Sequence, residues 1–244
     1  MIFFTDVQTT NSNYCLLNIK KYHLIPKLNK QIYFIDPSVL ELKTNIEFSK
    51  IDLLHKIASS KPKYNEYITI DYPCDMNIKY SDLFIKKSIE NNLKYKNNSH
   101  YICTIQSKFM NTTDFIYQFD YLKDKINFSN KIIGIGNTCR ILKVNKKTLP
   151  FLSIIKEKLI NEIKEINWIH FFGLAYQVID YLIKDLHKSN NKCIISMDST
   201  KWTQAVDYHL KWMYGFQCKK SNRNLYFLYY VHKIMRNHQL PIIY

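Results

Sequence analysis

The sequence is poor in glycine. It has 4 glycines in 244 residues, where average usage of about 7% would give roughly 17. Because glycine allows backbone conformations and close approaches that other residues do not, each glycine at a strand end or turn calls for a specific explanation. Three of the four are Gly134, Gly136 and Gly173.

Several signals of other protein classes are also missing. The six cysteines stand singly, with no C-x-C or C-x-x-C pair, so neither a compact disulfide framework nor a common zinc spacing is visible. The start, MIFFTDVQTT, lacks the basic and long apolar segments of a signal peptide, and no run approaches the roughly 18 apolar residues of a membrane span. We expect a cytoplasmic protein with reduced thiols and no membrane partner.

Motifs for three common chemistries are absent as well. The chain has no H-x-H or H-E-x-x-H pattern, no G-x-S-x-G elbow and no Walker-type phosphate loop. Metal hydrolysis, acyl transfer and hydrolysis of nucleoside triphosphates therefore lack their parts, and we expect neither a metal nor a cofactor.

Positive charge is abundant. The formal net charge is +15 from 35 basic and 20 acidic residues, and such a surplus is typical of a protein with a polyanionic partner. Only three basic residues are arginines, however, and the abundance of Lys, Asn, Ile and Tyr also indicates an AT-rich coding sequence. A nucleic-acid partner is favoured over a generic solvated lysine surface, because phosphate contact accepts lysine.

The chain predicts one α/β domain over residues 1–244. No linker divides it, and short β-type runs alternate with longer amphipathic stretches. Successive runs end 25 to 37 residues apart, the size of βα units, which favours a (β/α)8 TIM-type barrel. The segment MIFFT is a candidate for an earlier strand. The eighth strand is not legible in the sequence, and its candidate position is residues 215–218. The runs end at these residues: Asp36, Asp71, Gln106, Gly136, Gly173 and Asp198.

Polar residues close four of these runs, at the end of the barrel where chemistry is expected. Each alone is more typical of a helix cap or turn, but Asp36, Asp71, Gln106 and Asp198 together indicate a site. Carboxylates without a metal suit a sugar anomeric carbon: one attacks C1′ of a nucleoside, another handles protons, and polar groups read a purine edge. The pattern predicts glycosyl transfer at a nucleobase.

The segments DPS, ITIDYPCD, TIQSK, IGIGNTCR, WIHFFGLA and ISMDSTKW, in this order, resemble the tRNA-guanine transglycosylase superfamily, and most closely its DNA-modifying branch, which inserts 7-deazaguanine derivatives. The resemblance spans residues 31–202. The tRNA enzymes carry a C-x-C-x-x-C plus His zinc site near the C-terminus, whereas this chain has only Cys218 among His209, His232 and His238 after Asp198. We therefore expect a compact barrel without the family's zinc subdomain.

The resemblance also implies roles for individual residues. Asp198 is the nucleophile and Asp36 the general acid/base, although Asp-Pro-Ser replaces the family's Asp-Ser-Gly-Gly turn and Asp198 could instead cap the following helix. The implied base-binding residues are Asp71, Gln106, Gly134, Gly136, Phe172 and Gly173. Ser38 and Arg140 are expected to bind phosphate or sugar, with an ordinary surface arginine as the alternative for Arg140.

The implied reaction is base exchange on DNA without a cofactor. Asp198 expels guanine from a flipped or single-stranded deoxyguanosine, and a 7-deazaguanine base such as a cyano- or amido-derivative takes its place. Exchange on tRNA, a catalytically inactive nucleic-acid-binding barrel and hydrolysis of small nucleosides stay open as alternatives. Composition and resemblance together suggest a phage or mobile element, which would place the protein in the host cytoplasm. The lysines expected to hold phosphates are Lys108, Lys143, Lys146, Lys147, Lys219 and Lys220.

Overall fold

The structure is a computed structural model of the chain. It describes residues 2–4, 13–19, 25, 30–36, 52–53, 55–57, 60, 65–72, 81–136 and 138–198.

The described residues form an eight-stranded, wholly parallel sheet in the order β1-β8-β7-β6-β5-β4-β3-β2. Its end strands, β1 and β2, lie against each other, with the rings of Phe4 and Tyr14 5.7 Å apart. The sheet is thus nearly closed into a barrel and is compatible with a TIM-like barrel. The strands are β1 (Ile2–Phe4), β2 (Tyr14–Asn18), β3 (Ile32–Asp36), β4 (Glu66–Thr69), β5 (Tyr101–Ile105), β6 (Ile132–Ile135), β7 (Trp168–Phe171) and β8 (Ile194–Asp198).

Helices follow four of the strand positions, as expected where a parallel strand needs a crossover to the next one. They are α1 (Ser81–Lys94), α2 (Thr112–Lys125), α3 (Leu149–Glu162) and α4 (Tyr176–Ser189). Asn111 caps α2 by accepting a hydrogen bond from the Asp114 amide at 3.0 Å. These four helices confirm amphipathic stretches that the sequence predicts between the β-type runs. A further amphipathic stretch of the sequence, TQAVDYHLKWMY over residues 203–214, lies outside the described residues.

Strand β2 is missing from the sequence-based prediction. Its YCLLN segment is a short apolar run that follows the turn-type residues TTNSN, but periodicity alone does not distinguish so short a run from a helical segment. The structure places it beside β3, where Asn18 pairs with Asp36. Residues 215–218, where an eighth strand was expected, lie outside the described part of the chain.

The inside of the barrel is filled by aromatic side chains. Phe34 on β3 and Trp168 on β7 have ring centroids 5.7 Å apart, although their strands stand four positions apart in the sheet order. Phe4 stacks on Phe34 at 3.8 Å. The barrel interior is therefore a packed core and not a pore, and any reaction must take place at an end of the barrel.

Side-chain alternation carries this inward face to the carboxyl ends of the strands. Ile35, Ile105 and Ile135 point outward into apolar clusters beneath the helices or loops, so the residues on either side of each point inward. The inward positions at the carboxyl ends are Asp36, Asp71, Gln106, Gly136, Phe172 and Asp198. The prediction that the strand-end residues share one layer of the barrel is thus consistent with the alternation.

No helix in the described ranges is both long and apolar enough to cross a membrane.

Candidate active site

Asp198, the last residue of β8, is held through one of its two carboxylate oxygens. Oδ1 accepts hydrogen bonds from the Gly173 amide at 2.9 Å and from His170 Nε2 at 3.2 Å. The residue is 9% exposed, and no group in the described part of the chain donates to Oδ2. The carboxylate is therefore oriented on one side and available on the other.

His170 is a member of the site that the sequence analysis did not single out. It lies on β7, fully buried, and its Nδ1 is 2.9 Å from Ser196 Oγ, which itself accepts from Trp168 Nε1 at 2.7 Å. Its inward position two residues before Phe172 was the available signal, because alternation places both on the same face.

The hydrogen bonds define the protonation state of His170. The Asp198 carboxylate accepts a hydrogen bond from Nε2 of His170, so Nε2 carries a proton. In a neutral ring Nδ1 is then an acceptor, and the Ser196 hydroxyl donates to it. Burial lowers the pKa of His170 below its ordinary value, and the hydrogen bond to Asp198 opposes that effect only in part. The pair is accordingly a neutral imidazole donating to a carboxylate.

Ser196, His170 and Asp198 form a chain of the kind found in serine hydrolases, but they cannot serve that chemistry. Ser196 is fully buried, and its Oγ already accepts from the Trp168 indole. A nucleophilic serine must reach a substrate carbonyl at the surface. The exposed end of this chain is the aspartate.

On the opposite side of the barrel mouth, Asp71 and Gln106 form a second polar pair. Strand β8 and strand β4, which precedes Asp71, stand four positions apart in the order of eight. The side-chain Nε2 of Gln106 donates to Asp71 Oδ2, and the backbone N–H of Gln106 donates to Gln118 Oε1. Gln106 is 4% exposed, and its buried Oε1 has no hydrogen-bond partner in the described part of the chain. The structure thus holds Gln106 with an acceptor left over.

Polar side chains of α1 support this pair. The pairing of β4 with β5 ends at Thr69 and Ile102, and beyond it Asn92 takes the place of a neighbouring strand. Its Oδ1 accepts from the Thr104 amide at 3.2 Å, and its Nδ2 donates to the Thr104 carbonyl at 2.9 Å. Ser88 makes the same two contacts with Tyr72. The backbone groups of Tyr72, next to Asp71, and of Thr104, two residues before Gln106, are thereby satisfied although the strands have separated.

The glycines make room for the protein's own side chains. A Cβ on Gly136 would lie 2.4 Å from Gln106 Oε1, and one on Gly134 would lie 2.6 Å from a carbon of the Phe172 ring. Phe172 in turn packs edge-on against His170 at 4.5 Å. Close approach of a base to these backbones stays a prediction.

Gly173 contacts Asp198 through its backbone, and the base contact predicted for it stays a prediction. Its φ is +65°, a Cβ there would lie 2.3 Å from Cys139 Cβ, and its N–H binds Asp198. The structure thus places this glycine against the carboxylate through its own amide.

The remaining predicted residues are less closely placed. Asp36 is half-buried at the end of β3, with Thr69 Oγ1 3.5 Å from its Oδ1. Arg140 is exposed in the segment after β6, with its guanidinium 4.4 Å from the centre of the Phe109 ring. Ser38 lies outside the described residues.

Positive charge is found at both ends of the barrel. At the candidate site, Lys108 pairs with Asp82 at 2.6 Å, and Lys143, Lys146 and Lys147 are exposed. At the amino ends of the strands lie two surface clefts of about 580 and 720 Å³. The lysines that line the first are Lys96, Lys125 and Lys131, and those that line the second are Lys164, Lys188 and Lys192. Charge alone therefore does not locate the site. Lys219 and Lys220 lie outside the described residues.

Within the described ranges, no three His, Cys, Asp or Glu side chains gather as metal ligands would. His209, Cys218, His232 and His238 lie outside those ranges. Comparison of the chain with protein-family models, curated proteins and solved structures gave no match to any of the three.

Proposed function

We propose that this chain is a compact (β/α)8 TIM-type barrel enzyme that exchanges guanine in DNA for a 7-deazaguanine derivative. The observation that carries the proposal is the geometry of Asp198, whose Oδ1 is held by two N–H donors while Oδ2 receives none from the described residues. A carboxylate oriented in this way at the carboxyl end of a barrel strand suits attack on an anomeric carbon.

The reaction is a double displacement at C1′. Oδ2 of Asp198 forms a bond to C1′ as the bond from C1′ to guanine N9 breaks, and the electron pair leaves with the base. The incoming 7-deazaguanine base then forms its own bond to C1′, and the carboxylate departs with the electrons of the ester bond. One glycosidic bond replaces another, so neither a cofactor nor an energy source is needed.

Asp36 serves as the general acid and base in this scheme. It protonates the departing guanine and accepts a proton from the incoming base. Its half-buried position on β3, at the same end of the barrel as Asp198, supports this role.

Asp71 and Gln106 recognise the base. Gln106 uses its amide nitrogen on Asp71, which leaves the Gln106 oxygen as an acceptor beside a carboxylate. Two acceptors side by side suit the N–H donor edge that guanine and its 7-deaza analogues share. Phe172, an inward residue at the same end of the barrel, provides an apolar ring, and the target base must leave the helical stack to reach the site.

Nucleoside mass spectrometry tests the proposal. Duplex and single-stranded DNA are incubated with the full chain and either cyano- or amido-7-deazaguanine, then digested and analysed. We expect the modified deoxynucleoside with the wild type and a loss of about 10³-fold or more with Asp198→Asn, because the amide is a poor nucleophile. Asp185→Asn, on the outer helix α4 and paired with Lys156, is the matched control and is expected to retain activity.

Three outcomes contradict the proposal. Equal incorporation by wild type and Asp198→Asn removes this residue from the reaction. Labelling of tRNA alone, in competition with DNA, assigns the chain to the tRNA substrate. DNA binding without any covalent adduct or base exchange identifies a binding protein and not an enzyme.

A further inference from the structure

We propose that His170, held by Ser196 and Trp168, is a positioning residue that fixes Oδ1 of Asp198 and so selects Oδ2 as the attacking oxygen. The inference deepens the proposed function and rests on it.

The hydrogen bonds run in one direction from the barrel interior to the carboxylate. Trp168 Nε1 donates to Ser196 Oγ at 2.7 Å, Ser196 Oγ donates to His170 Nδ1 at 2.9 Å, and His170 Nε2 donates to Asp198 Oδ1 at 3.2 Å. The Asp198 carboxylate can only accept, so Nε2 of His170 carries the ring proton, and in a neutral ring Nδ1 then accepts from Ser196 Oγ. The other contacts of Ser196 Oγ are the Trp168 indole, which can only donate to it, and the Ile169 carbonyl at 3.4 Å.

The position of the imidazole ring is restricted by its neighbours as well as by these bonds. His170 is fully buried, with the rings of Phe4, Phe34 and Phe172 at 5.4, 4.8 and 4.5 Å, all packed edge-on or nearly so. A histidine in such a wall has little freedom to rotate. Its N–H therefore stays directed at Asp198 before substrate arrives, which is the condition for preorganised catalysis.

Carrying three polar side chains into an aromatic interior has a desolvation cost that an apolar filling would avoid. Here every polar atom of the chain finds a partner, and the chain ends at the one carboxylate placed at the barrel mouth. Oδ1 of Asp198 thus accepts two hydrogen bonds, one from His170 Nε2 and one from the Gly173 amide at 2.9 Å. When Oδ2 bonds to C1′, Oδ1 becomes the carbonyl oxygen of the resulting ester and can keep both hydrogen bonds.

The chain cannot carry a proton away from Asp198. Beyond His170, Ser196 Oγ contacts the Trp168 indole, which can only donate, and the carbonyl of the buried Ile169 at 3.4 Å, which accepts a hydrogen bond but passes no proton on. His170 accordingly orients Asp198 and takes no part in proton transfer, so its loss should lower the turnover rate without removing a limb of the pH profile.

Two substitutions of similar size separate positioning from filling. His170→Gln keeps a side-chain N–H donor, whereas His170→Leu keeps only apolar volume, which suits the aromatic surroundings. If the residue acts only as filling, the leucine variant is at least as active as the glutamine variant. If it positions Asp198, glutamine restores activity that leucine loses.

The experiment measures kcat and KM for DNA, the pH profile and the melting temperature of the full-length wild type and both variants. We expect His170→Leu to lower kcat about 10- to 100-fold, because a misplaced reacting group costs that much, while KM for DNA stays within about twofold. His170→Gln is expected to recover most of that loss, with the same pH limbs in all three proteins. Ser196→Ala, which removes the donor to Nδ1, is expected to fall between them.

Nitrogen NMR of histidine-labelled protein gives a readout that does not depend on activity. We expect the neutral Nε2–H form of His170 at pH 7. An Nδ1–H form, a charged ring at that pH, or a wild-type kcat in His170→Leu would overturn the inference while leaving the proposed function intact. A wild type that exchanges no base in any nucleic acid overturns both.

Discussion

At the scale of single residues, Gly173 shows most clearly how a backbone position serves the site. Its φ of +65° favours glycine, and Cys139 Cβ occupies the place where a side chain would stand. The same residue donates its amide to Asp198. A single glycine therefore supplies both the left-handed backbone conformation and a hydrogen bond to the Asp198 carboxylate.

Replacing Gly173 by alanine is expected to lower the free energy of unfolding by at least about 1–2 kcal/mol, the cost of a left-handed conformation for a residue with a Cβ. The contact with Cys139 adds to this cost. Urea unfolding measures the change. A Cys139→Gly background, with Cys139→Gly alone as control, removes the 2.3 Å contact with Cβ, so the cost should fall to the conformational part and the remaining 3.0 Å contact with the Cys139 Cα. An unchanged urea midpoint for Gly173→Ala would show that the position is not strained.

At the scale of elements, α1 does more than cover the sheet. Four of its side chains are buried, and three of them are polar: Ser81, Ser88 and Asn92, beside Phe84. Ser88 and Asn92 substitute for a neighbouring strand where β4 and β5 separate. The helix thus supports the separation of the two strands on which Asp71 and Gln106 depend.

Asn92→Leu is expected to destabilise the protein by about 2–6 kcal/mol, since it leaves the buried Thr104 N–H and C=O without partners at about 1–3 kcal/mol each. Glu90→Ala, an exposed change on the same helix that removes only a pair with Lys86 at 4.0 Å, should change stability by less than about 0.5 kcal/mol. Denaturant unfolding of both variants checks this. If Asn92→Leu and Glu90→Ala were equally stable, the Asn92 side-chain amide would not be needed to replace the hydrogen bonds of a neighbouring strand.

At the scale of the whole molecule, buried histidines make stability depend on pH. Burial lowers the pKa of His55 to about 4, and it lowers the pKa of His170 as well. As pH falls below about 6.5, the unfolded chain takes up protons on these residues that the folded chain does not. Stability therefore rises with pH in this range and is fully present above it.

We expect the free energy of unfolding to fall by roughly 1.4 kcal/mol per pH unit because of His55 as pH drops below about 6.5, with His170 contributing in the same direction. For His55 the loss continues to about pH 4. His55→Gln should reduce the slope between pH 6.5 and 5. At pH 8, where both histidines are neutral in either state, wild type and variant should differ only by packing. Urea midpoints at several pH values measure this, and a slope that the substitution leaves unchanged would contradict it.

The fold shows how far local pattern reaches. Short apolar runs and amphipathic stretches predict seven of the eight described strands and all four bounded helices to within a few residues, because both signals are properties of neighbouring residues. Strand β2 escapes this reasoning, since a short apolar segment becomes a strand only when β3 pairs with it.

In the candidate site, too, some features can be predicted from local sequence and others cannot. Its acidic residues and glycines can be found from the sequence because they stand at the ends of legible strands, where a parallel barrel gathers them. The partners of those residues cannot. Three features of the site depend on groups that lie 12 to 35 residues apart in the chain. They are the ring nitrogen of His170 that faces Asp198, the replacement of a strand by Asn92, and the spare acceptor of Gln106. Register and the near closure of the sheet bring these groups together, and no local periodicity encodes that arrangement.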